Sequence, residues 1–527
     1  MLHSESRQDC TQGHTAIAAT LIITLTILVS ACKHFNSLYE AEMSDDLRVS
    51  ILADSAQDAQ KYLELFISNI HNSLKADKLV DKYYQDGGQW IWVNTDTSFI
   101  QKAYCLADYL EQQANEMGFS PNAFFTDSIR SGASHFRLLD FDSAQVSVSK
   151  TMATLEYTLS KAYIRFALGQ RYGFFEPHRV FNHLDTRKEG GYRIIYDIDL
   201  EQPDENFTES TLKHATDDDP IAYLQSVITR HPVYTQLKKE LAKDSAGTKR
   251  KLILCNMERL RWQHIKQHNP NEKYIFVNIP AQKLWAIRPD SVFSMAICCG
   301  AWKTKTPLLE SEISYLQINP EWNIPGSILR DEVSEHAGDS AYFARNDYFI
   351  VHRNSGDTIN PKNITTSQLR SGAYRVAQRS GRKNSLGRII FRFKNQFDVY
   401  LHDTNNHNAF NYVRRTISHG CVRVQRPFDL LLFVLNNPDE WFLDKIRLSI
   451  DMKPESIKGK KYLKTHQEEH PGDHIRLINL AYVTPKVPLS IDYYTYYPNP
   501  ETGEFETWPD RYEYDNQIEK SIKPFLP

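Results

Sequence analysis

Three histidines, a cysteine and several arginines lie close together in the stretch YLHDTNNHNAFNYVRRTISHGCVRV, residues 400–424. Cys421 could act as a nucleophile there, provided that its thiol loses a proton. Gly420 permits a tight turn and brings N–H groups near the sulfur, where they could also hold an oxyanion. His402 ends a predicted strand, and a return of the chain would place it beside the thiol as general base. The pattern predicts covalent catalysis by a cysteine.

Two other interpretations fit part of this stretch. His402, His407, His419 and Cys421 could bind zinc, although their spacing is not that of a compact zinc finger. The segment could also be a structural loop with an incidental thiol. Such a thiol would be open to oxidation in an exported protein, which makes this alternative a poor structural choice. Arg423, on the face opposite the neighbouring valines, could hold a carboxylate.

The elements around this stretch predict an α+β protein. Apolar residues spaced three and four apart predict a mainly helical region from about 50 to 185. Residues 186–220 are acidic and rich in turn formers, which predicts a surface loop, and helix resumes over 220–265. Short strand-like runs such as KYIFVNIP, KLWAIRP and SVFSMAICCG follow. The polar segment 328–385 interrupts them as an inserted subdomain, and a β-like segment of about 50 residues ends the chain.

The composition excludes several classes of protein. The chain has 527 residues, of which 41% are hydrophobic and 24% charged, and this excludes a multi-span membrane protein, a collagen and a wholly disordered chain. The 62 Lys and Arg residues against 65 Asp and Glu residues give a net charge of −3. There is thus no global basic surface of the kind that nucleic-acid binding usually requires.

The N-terminus has the pattern of an export signal. Residues 16–31 are uncharged, and this run is shorter than the ~20 residues that a transmembrane helix needs. Small residues precede Cys32, as in a bacterial lipobox, so we expect a signal over 1–32 and a lipid on Cys32. A plain membrane anchor or a buried helix are the alternatives. In an oxidising compartment some of the other cysteines could pair, although Cys298 and Cys299 fit two core thiols better.

SHGCVR, preceded by a strand that carries LHDT, resembles the active-site motif of the YkuD-type L,D-transpeptidases, cysteine enzymes that cross-link peptidoglycan. Further motifs resemble the large periplasmic, YcbB-like branch in the same order: NMERLRW, FVNIPAQKL, KTP, NPEWNIP and KNSLGR. The resemblance is strong over about 251–450 and weaker over the helical region before it. Together with the N-terminal pattern and the strand-like C-terminal run, it predicts a signal with lipobox over 1–32, a helical scaffold domain over 33–250, a mostly β catalytic domain over 251–460 with a capping subdomain at 328–385, and a β-like extension over 461–527.

The same resemblance implies roles for individual residues. Cys421 is the nucleophile, His402 its base, and the backbone carbonyl of Asp403 orients that base. The N–H groups of Gly420 and Cys421 form the oxyanion hole. The residues that line the substrate site are Ser418, His419, Arg423, Tyr374 and Arg375. The chain departs from the branch in carrying SHGC where SSGC is frequent, and in having no peptidoglycan-binding module before NMERLRW.

The implied protein is a lipid-anchored L,D-transpeptidase in the bacterial periplasm. It would attack a peptidoglycan tetrapeptide stem, release D-alanine and form a 3→3 cross-link without a cofactor or a metal. Carbapenems are the implied inhibitors. Lys33 after the lipidated cysteine resembles lipoproteins of the outer membrane. The alternatives are an L,D-carboxypeptidase or another cysteine peptidoglycan hydrolase, and a non-catalytic wall-binding lipoprotein. Papain-like peptidases place Cys before His in the chain and are disfavoured.

Overall fold

The computed structural model describes residues 45–69, 72–94, 97–141, 147–187, 190–262, 264, 269 and 271–527. The predicted signal segment, with Cys32, lies outside these residues. Among the described helices, none combines the length and apolar character needed to cross a bilayer.

The N-terminal half is helical, as the apolar periodicity predicts. Its helices are α1 (Asp45–Asn69), α2 (Lys75–Gln85), α3 (Ser98–Met117), α4 (Thr126–Leu138), α5 (Val148–Tyr172), α6 (Pro177–Phe181), α7 (Phe207–Ala215), α8 (Pro220–Ser226), α9 (Pro232–Lys243) and α10 (Arg250–Arg259). Helix α5 is buried along most of its length and packs against α1, α2 and α4. Its Glu156 carboxylate accepts hydrogen bonds from the N–H groups of Trp92 and Val93, both at 2.9 Å, which compensates the burial of that charge.

The rest of the chain is rich in strands. They are β1 (Tyr196–Asp197), β2 (Tyr274–Asn278), β3 (Lys283–Arg288), β4 (Ser291–Gly300), β5 (Leu308–Ile318), β6 (Trp322–Asn323), β7 (Tyr348–His352), β8 (Thr358–Ile359), β9 (Tyr374–Gln378), β10 (Ile389–Phe393), β11 (Leu401–His402), β12 (Thr416–Ser418), β13 (Val422–Val424), β14 (Leu480–Asp492), β15 (Tyr496–Pro498) and β16 (Phe505–Thr507). The main sheet has the order β1-β5-β10-β11-β13-β4-β3-β2-β14, with β12 beside β4. A further pairing of β14 with β5 closes this sheet into a barrel.

The remaining helices are α11 (Gly326–Asp331), α12 (Ser340–Arg345), α13 (Thr366–Arg370), α14 (Pro427–Val434), α15 (Glu440–Ser449), α16 (Ile457–Glu469) and α17 (Tyr514–Ile522).

Strand β14 changes the expected domain organisation, because the segment 461–527 does not stand apart as an extension. Leu489 of β14 pairs with Ile275 of β2 on one side and with Ser311 of β5 on the other. The barrel is therefore incomplete without the C-terminal segment.

The inserted subdomain is more ordered than its polar sequence indicates. Strands β6, β9, β7 and β8 form a separate four-stranded sheet in that order. A small apolar core lies beneath it and consists of Ile324, Leu329, Val333, Phe343, Ile350, Ile364, Leu369 and Val376. The subdomain thus begins at β6, slightly before the predicted boundary at 328.

The predicted surface loop 186–220 contains part of the main sheet. Strand β1 pairs in parallel with β5, with Tyr196 opposite Leu308. The side chain of Asn182 accepts hydrogen bonds from the N–H groups of Ile195 and Tyr196, both at 2.8 Å, and so closes the segment before the strand. A two-residue strand leaves no periodic signal in the sequence, which is why the pattern predicted a loop.

Candidate active site

Cys421 and His402 lie on neighbouring strands of the barrel. Strands β11 and β13 run in parallel, with Leu401 opposite Val422 and His402 opposite Arg423. Cys421 directly precedes β13 and is level with Tyr400, whose carbonyl accepts the Val422 N–H at 3.1 Å. The fold therefore brings the predicted nucleophile and the predicted base onto two adjacent segments, two positions apart in the register of the pair.

The turn that carries the cysteine, residues 418–421, is called the nucleophile turn below. Gly420 has φ +124°, a conformation that glycine adopts without strain. The Ser418 hydroxyl donates to the Cys421 carbonyl at 2.6 Å and accepts the Gly420 N–H at 3.2 Å. Ser418 is buried and its hydroxyl closes the turn. An oxyanion bound at the Gly420 N–H would have to compete with this long hydrogen bond.

A second loop, residues 300–306, holds the nucleophile turn and is called the clamp loop below. The Thr304 hydroxyl donates to the Ser418 carbonyl and the Thr306 hydroxyl to the Gly420 carbonyl, both at 2.8 Å. The loop bends so sharply that a Cβ atom on Gly300 would lie 2.0 Å from the Thr304 carbonyl oxygen. The nucleophile turn is thus fixed from outside as well as by its own hydrogen bonds.

The thiol is half-buried and sits beside two groups that the sequence analysis missed. The Tyr400 side chain lies close enough to lower the pKa of the Cys421 thiol, Cys421 Sγ donates to the Asp398 carbonyl at 3.8 Å, and the Arg392 guanidinium lies 4.2 Å from the centre of the Tyr400 ring. Burial raises the pKa of the Cys421 thiol to about 11, against the lowering effect of Tyr400, Arg392 and Arg423. Tyr400 could have been found in the sequence, because it stands two residues before His402 in the run that the sequence predicts as a strand, and such residues share a face.

His402 is buried, and the nearby backbone of Asp403 and Leu386 opposes the lowering of the pKa of its imidazole. Burial, with the nearby charge of Arg423, lowers the pKa of His402 to about 3. Within the described part of the chain, its Nδ1 atom is buried without a hydrogen-bond partner. The ring packs edge-on against Tyr400, with the two centroids 5.6 Å apart. A neutral imidazole with an open nitrogen can accept a proton at neutral pH.

The Asp403 side chain shapes the loop behind His402. Its carboxylate accepts the N–H groups of Arg388 at 2.8 Å and Thr404 at 2.7 Å. It also fills the space beside Gly387, where a Cβ atom would lie 2.3 Å from the carboxyl carbon. The predicted role of Asp403, to orient the base through its backbone carbonyl, stays a prediction.

The other two histidines have separate partners. His419 is exposed, and its Nε2 atom lies 2.6 Å from a carboxylate oxygen of Glu332 in the inserted subdomain. His407 is exposed as well, with Nε2 3.9 Å from a carboxylate oxygen of Asp403. No three or more metal-ligating side chains converge anywhere in the described residues. The arrangement of the histidines gives the zinc alternative no support.

The other residues predicted to line the substrate site lie in two parts of the molecule, the barrel and the inserted subdomain. Arg423 stands between His402 and Cys298 on the paired strands, and its Nε atom is buried with no partner in the described structure. Arg375 in the inserted subdomain instead donates to the Asn323 side chain at 2.8 Å. Tyr374 packs its ring edge-on against His352. The contacts of Tyr374 and Arg375 thus lie within their own subdomain, and their predicted role stays a prediction.

The other buried cysteines belong to the core, although Cys298 lies opposite Arg423 on the neighbouring strand β4. Cys255, Cys298 and Cys299 are buried and form no disulfide, as expected for Cys298 and Cys299 from their apolar strand. Burial raises the pKa of Cys299 to about 12. These thiols are far less suited to nucleophilic attack than one at an open turn.

Comparison with known proteins identifies two parts of the chain. A family profile described as an L,D-transpeptidase catalytic domain, YkuD, matches residues 272–440, and a profile for a scaffold domain matches residues 77–241. A Haemophilus influenzae protein named "Putative L,D-transpeptidase" is 27% identical over 327 residues, which cover 60% of each chain. These findings confirm the predicted family and the α+β class with helices ahead of a strand-rich domain. The chain thus carries a YkuD L,D-transpeptidase catalytic domain behind a scaffold domain, the architecture of the YcbB-like branch.

Proposed function

We propose that the protein is a peptidoglycan L,D-transpeptidase that forms 3→3 cross-links through a thioester on Cys421. The observation that carries this proposal is that Cys421 directly precedes β13 and His402 lies in the paired strand β11, so that a half-buried thiol beside Tyr400 and a neutral imidazole come from adjacent segments. The match to an L,D-transpeptidase catalytic domain supports the same reaction class.

In the first half-reaction Cys421 Sγ attacks the carbonyl that joins the third residue of a tetrapeptide stem to its terminal D-alanine. The S–C bond forms, the C–N bond breaks, and the thiol proton passes by way of His402 to the leaving amine. Because thiol and imidazole both rest in their neutral forms, proton transfer accompanies the attack. The Tyr400 side chain and the Arg392 guanidinium both lower the pKa of the thiol and so favour the loss of its proton in this step.

In the second half-reaction the side-chain amine of a neighbouring stem attacks the thioester. An amide bond forms, the C–S bond breaks, and the proton of the amine returns to the thiol through His402. If water attacks instead, the product is a shortened stem, and the enzyme is an L,D-carboxypeptidase. The choice of acceptor depends on how well the closed cleft excludes water.

Mass analysis of peptidoglycan fragments after incubation with the purified full chain tests this proposal. We expect release of D-alanine together with a dimer whose mass is that of two stems less one D-alanine. Shortened monomers without dimers would assign the carboxypeptidase. Unchanged fragments that still bind the protein would assign a non-catalytic wall-binding lipoprotein.

Carbapenems are expected to acylate Cys421. These drugs present a reactive acyl carbonyl together with a carboxylate, and Arg423 beside the paired strands is the proposed partner of that carboxylate. Intact-mass measurement should show one adduct on the wild-type chain and none on Cys421→Ala. A wild-type chain that remains unmodified at high drug concentration contradicts a transpeptidase site.

We also propose that the mature protein begins at a lipidated Cys32 and is held at a bacterial membrane facing the periplasm, in the outer membrane if Lys33 acts as a sorting signal. The uncharged run before Cys32 supports export, and the proposed substrate lies outside the cytoplasm. A diacylglycerol with an amide-linked chain anchors a protein stably, whereas a single acyl chain does so only marginally.

The expected result for Cys32→Ser is loss of the lipid and retention of the uncut signal segment, so that the mature N-terminus is no longer at residue 32. Fractionation and N-terminal mass analysis provide the measurement. Cys10→Ser is the matched control, because Cys10 lies in the same segment outside the lipobox and its substitution should change nothing. A Cys32→Ser protein that stays in the membrane with the wild-type N-terminus would identify a retained helix instead.

A further inference from the structure

The scaffold domain reaches the catalytic barrel through a short segment, residues 182–197, called the arm below. The arm leaves helix α6, closes on itself through the Arg193 N–H, which donates to the Asp185 carbonyl at 2.8 Å, and ends in strand β1 at the edge of β5. Its described residues lie within the match to the scaffold domain. The arm is thus a part of the scaffold that is built into the catalytic sheet.

Two charged side chains of the arm bind the clamp loop. Arg193 donates from Nη1 to the Lys303 carbonyl at 3.1 Å and from Nη2 to the Lys305 carbonyl at 3.0 Å. Asp185 binds the Nζ atom of Lys305 at 2.5 Å, and the Lys305 side chain is only 3% exposed. A rigid, planar guanidinium that bridges two carbonyls fixes their separation, which a single flexible ammonium does less well.

These bonds form a relay from the arm to the nucleophile. Arg193 holds the carbonyls of residues 303 and 305, while the intervening threonines, Thr304 and Thr306, hold the carbonyls of Ser418 and Gly420. One guanidinium therefore fixes the clamp loop, whose hydroxyls fix the nucleophile turn. Arg193 Nη2 also lies 3.8 Å from the position that a Cβ atom of Gly420 would take, so the guanidinium borders the turn directly.

We propose that Arg193 of the scaffold domain is a positioning residue for Cys421. It acts through the clamp loop and does not touch the reacting atoms. The scaffold domain then contributes a residue that supports the active site. In a catalytic domain without the arm, Cys421 would be less precisely positioned. This inference rests on the proposed function for its kinetic effect, but its structural effect can be measured without any substrate.

The test uses the full chain with Arg193→Ala, Arg193→Lys and, as matched control, Arg179→Ala, an exposed arginine of helix α6 beside the arm. A displacement of about 1 Å at a reacting group can cost about 100-fold in rate, so we expect kcat for acyl transfer to fall roughly tenfold or more in Arg193→Ala. KM should stay within about twofold, because this role does not bind substrate. Arg193→Lys should recover part of the loss, and Arg179→Ala should match the wild type.

Amide hydrogen exchange measured by mass spectrometry provides the second readout. Peptides that cover residues 300–306 and 416–422 should exchange faster in Arg193→Ala, with unchanged exchange in the helical core around α5. Normal exchange in the clamp loop of Arg193→Ala overturns the proposal, as does an unchanged kcat. A wild-type chain that performs no acyl transfer while Arg193→Ala still loosens the clamp loop would instead refute the proposed function and leave the positioning role in place.

Discussion

Cys421→Ala is expected to abolish acyl transfer and to leave the fold intact. The side chain is half-buried at a turn, so its replacement removes one sulfur atom and creates little empty space. The reaction, in contrast, loses its only route to a thioester, and removal of a nucleophile costs on the order of 10⁴-fold or more in kcat. Release of D-alanine and formation of dimers, measured with a purified, correctly folded variant, should both fall below detection.

Two variants make this result specific to the nucleophile. Cys105→Ala replaces a half-buried cysteine of the scaffold domain and should retain full activity. Cys421→Ser keeps the size of the side chain but carries a hydroxyl whose proton is harder to remove, and it should be nearly as inactive as Cys421→Ala. Cross-linking at the wild-type rate by a folded Cys421→Ala variant would exclude the thioester mechanism.

The nucleophile and its base could be predicted because the signal for both is local. His402 ends a short strand, Cys421 follows a glycine in a tight turn, and strand-loop-strand geometry brings such positions together. The support for the turn was not predictable in the same way. Thr304 and Thr306 precede Cys421 by more than a hundred residues, and nothing in their own neighbourhood marks them as partners of the turn.

The same reasoning explains why the sequence did not predict the strand pairings of β14 and β1. Strand β14 pairs with β2, about two hundred residues earlier, and β1 pairs with β5 across a whole helical region. Local periodicity identifies a strand but does not specify its neighbour, since register is decided by which distant edge is left unpaired. The sequence therefore indicated that the C-terminal segment is β-like without indicating that the barrel needs it.

Of the two residues beside the thiol, Tyr400 could be predicted from the sequence and Arg392 could not. Tyr400 directly precedes β11, two residues before His402, and Arg392 comes from the next strand of the sheet, β10. Tyr400 follows from the two-residue period of a strand once His402 has been chosen as the base. Arg392 could be found only with knowledge of which strand lies beside β11. Both act on the charge of the thiol, which shows that a motif can locate a nucleophile without describing how its ionisation is controlled.

His402→Ala is expected to reduce acylation by about 100-fold or more, the range that a general base contributes. Its Nδ1 atom is buried without a hydrogen-bond partner in the described structure, and no other described histidine lies in the strand that pairs with the segment after Cys421. The pKa of about 3 keeps the imidazole neutral at every pH near neutrality. We therefore expect the acylation rate of the wild type to show no fall near pH 6.5, the ordinary value for imidazole. Stopped-flow acylation by a carbapenem measures both effects.

The exposed histidines are the controls for this assignment. His407→Ala and His419→Ala should each retain most of the rate, because their side chains face Asp403 and Glu332 rather than the thiol. His402→Gln tests packing separately from chemistry, since it fills most of the buried space but cannot act as the base. The lowered pKa also means that the folded state disfavours protonation of His402, so its contribution to stability is present above about pH 6.5 and is lost as the pH falls towards 3. Equal losses of rate in His402→Ala and His407→Ala, or full activity in His402→Gln, would assign the base to another residue.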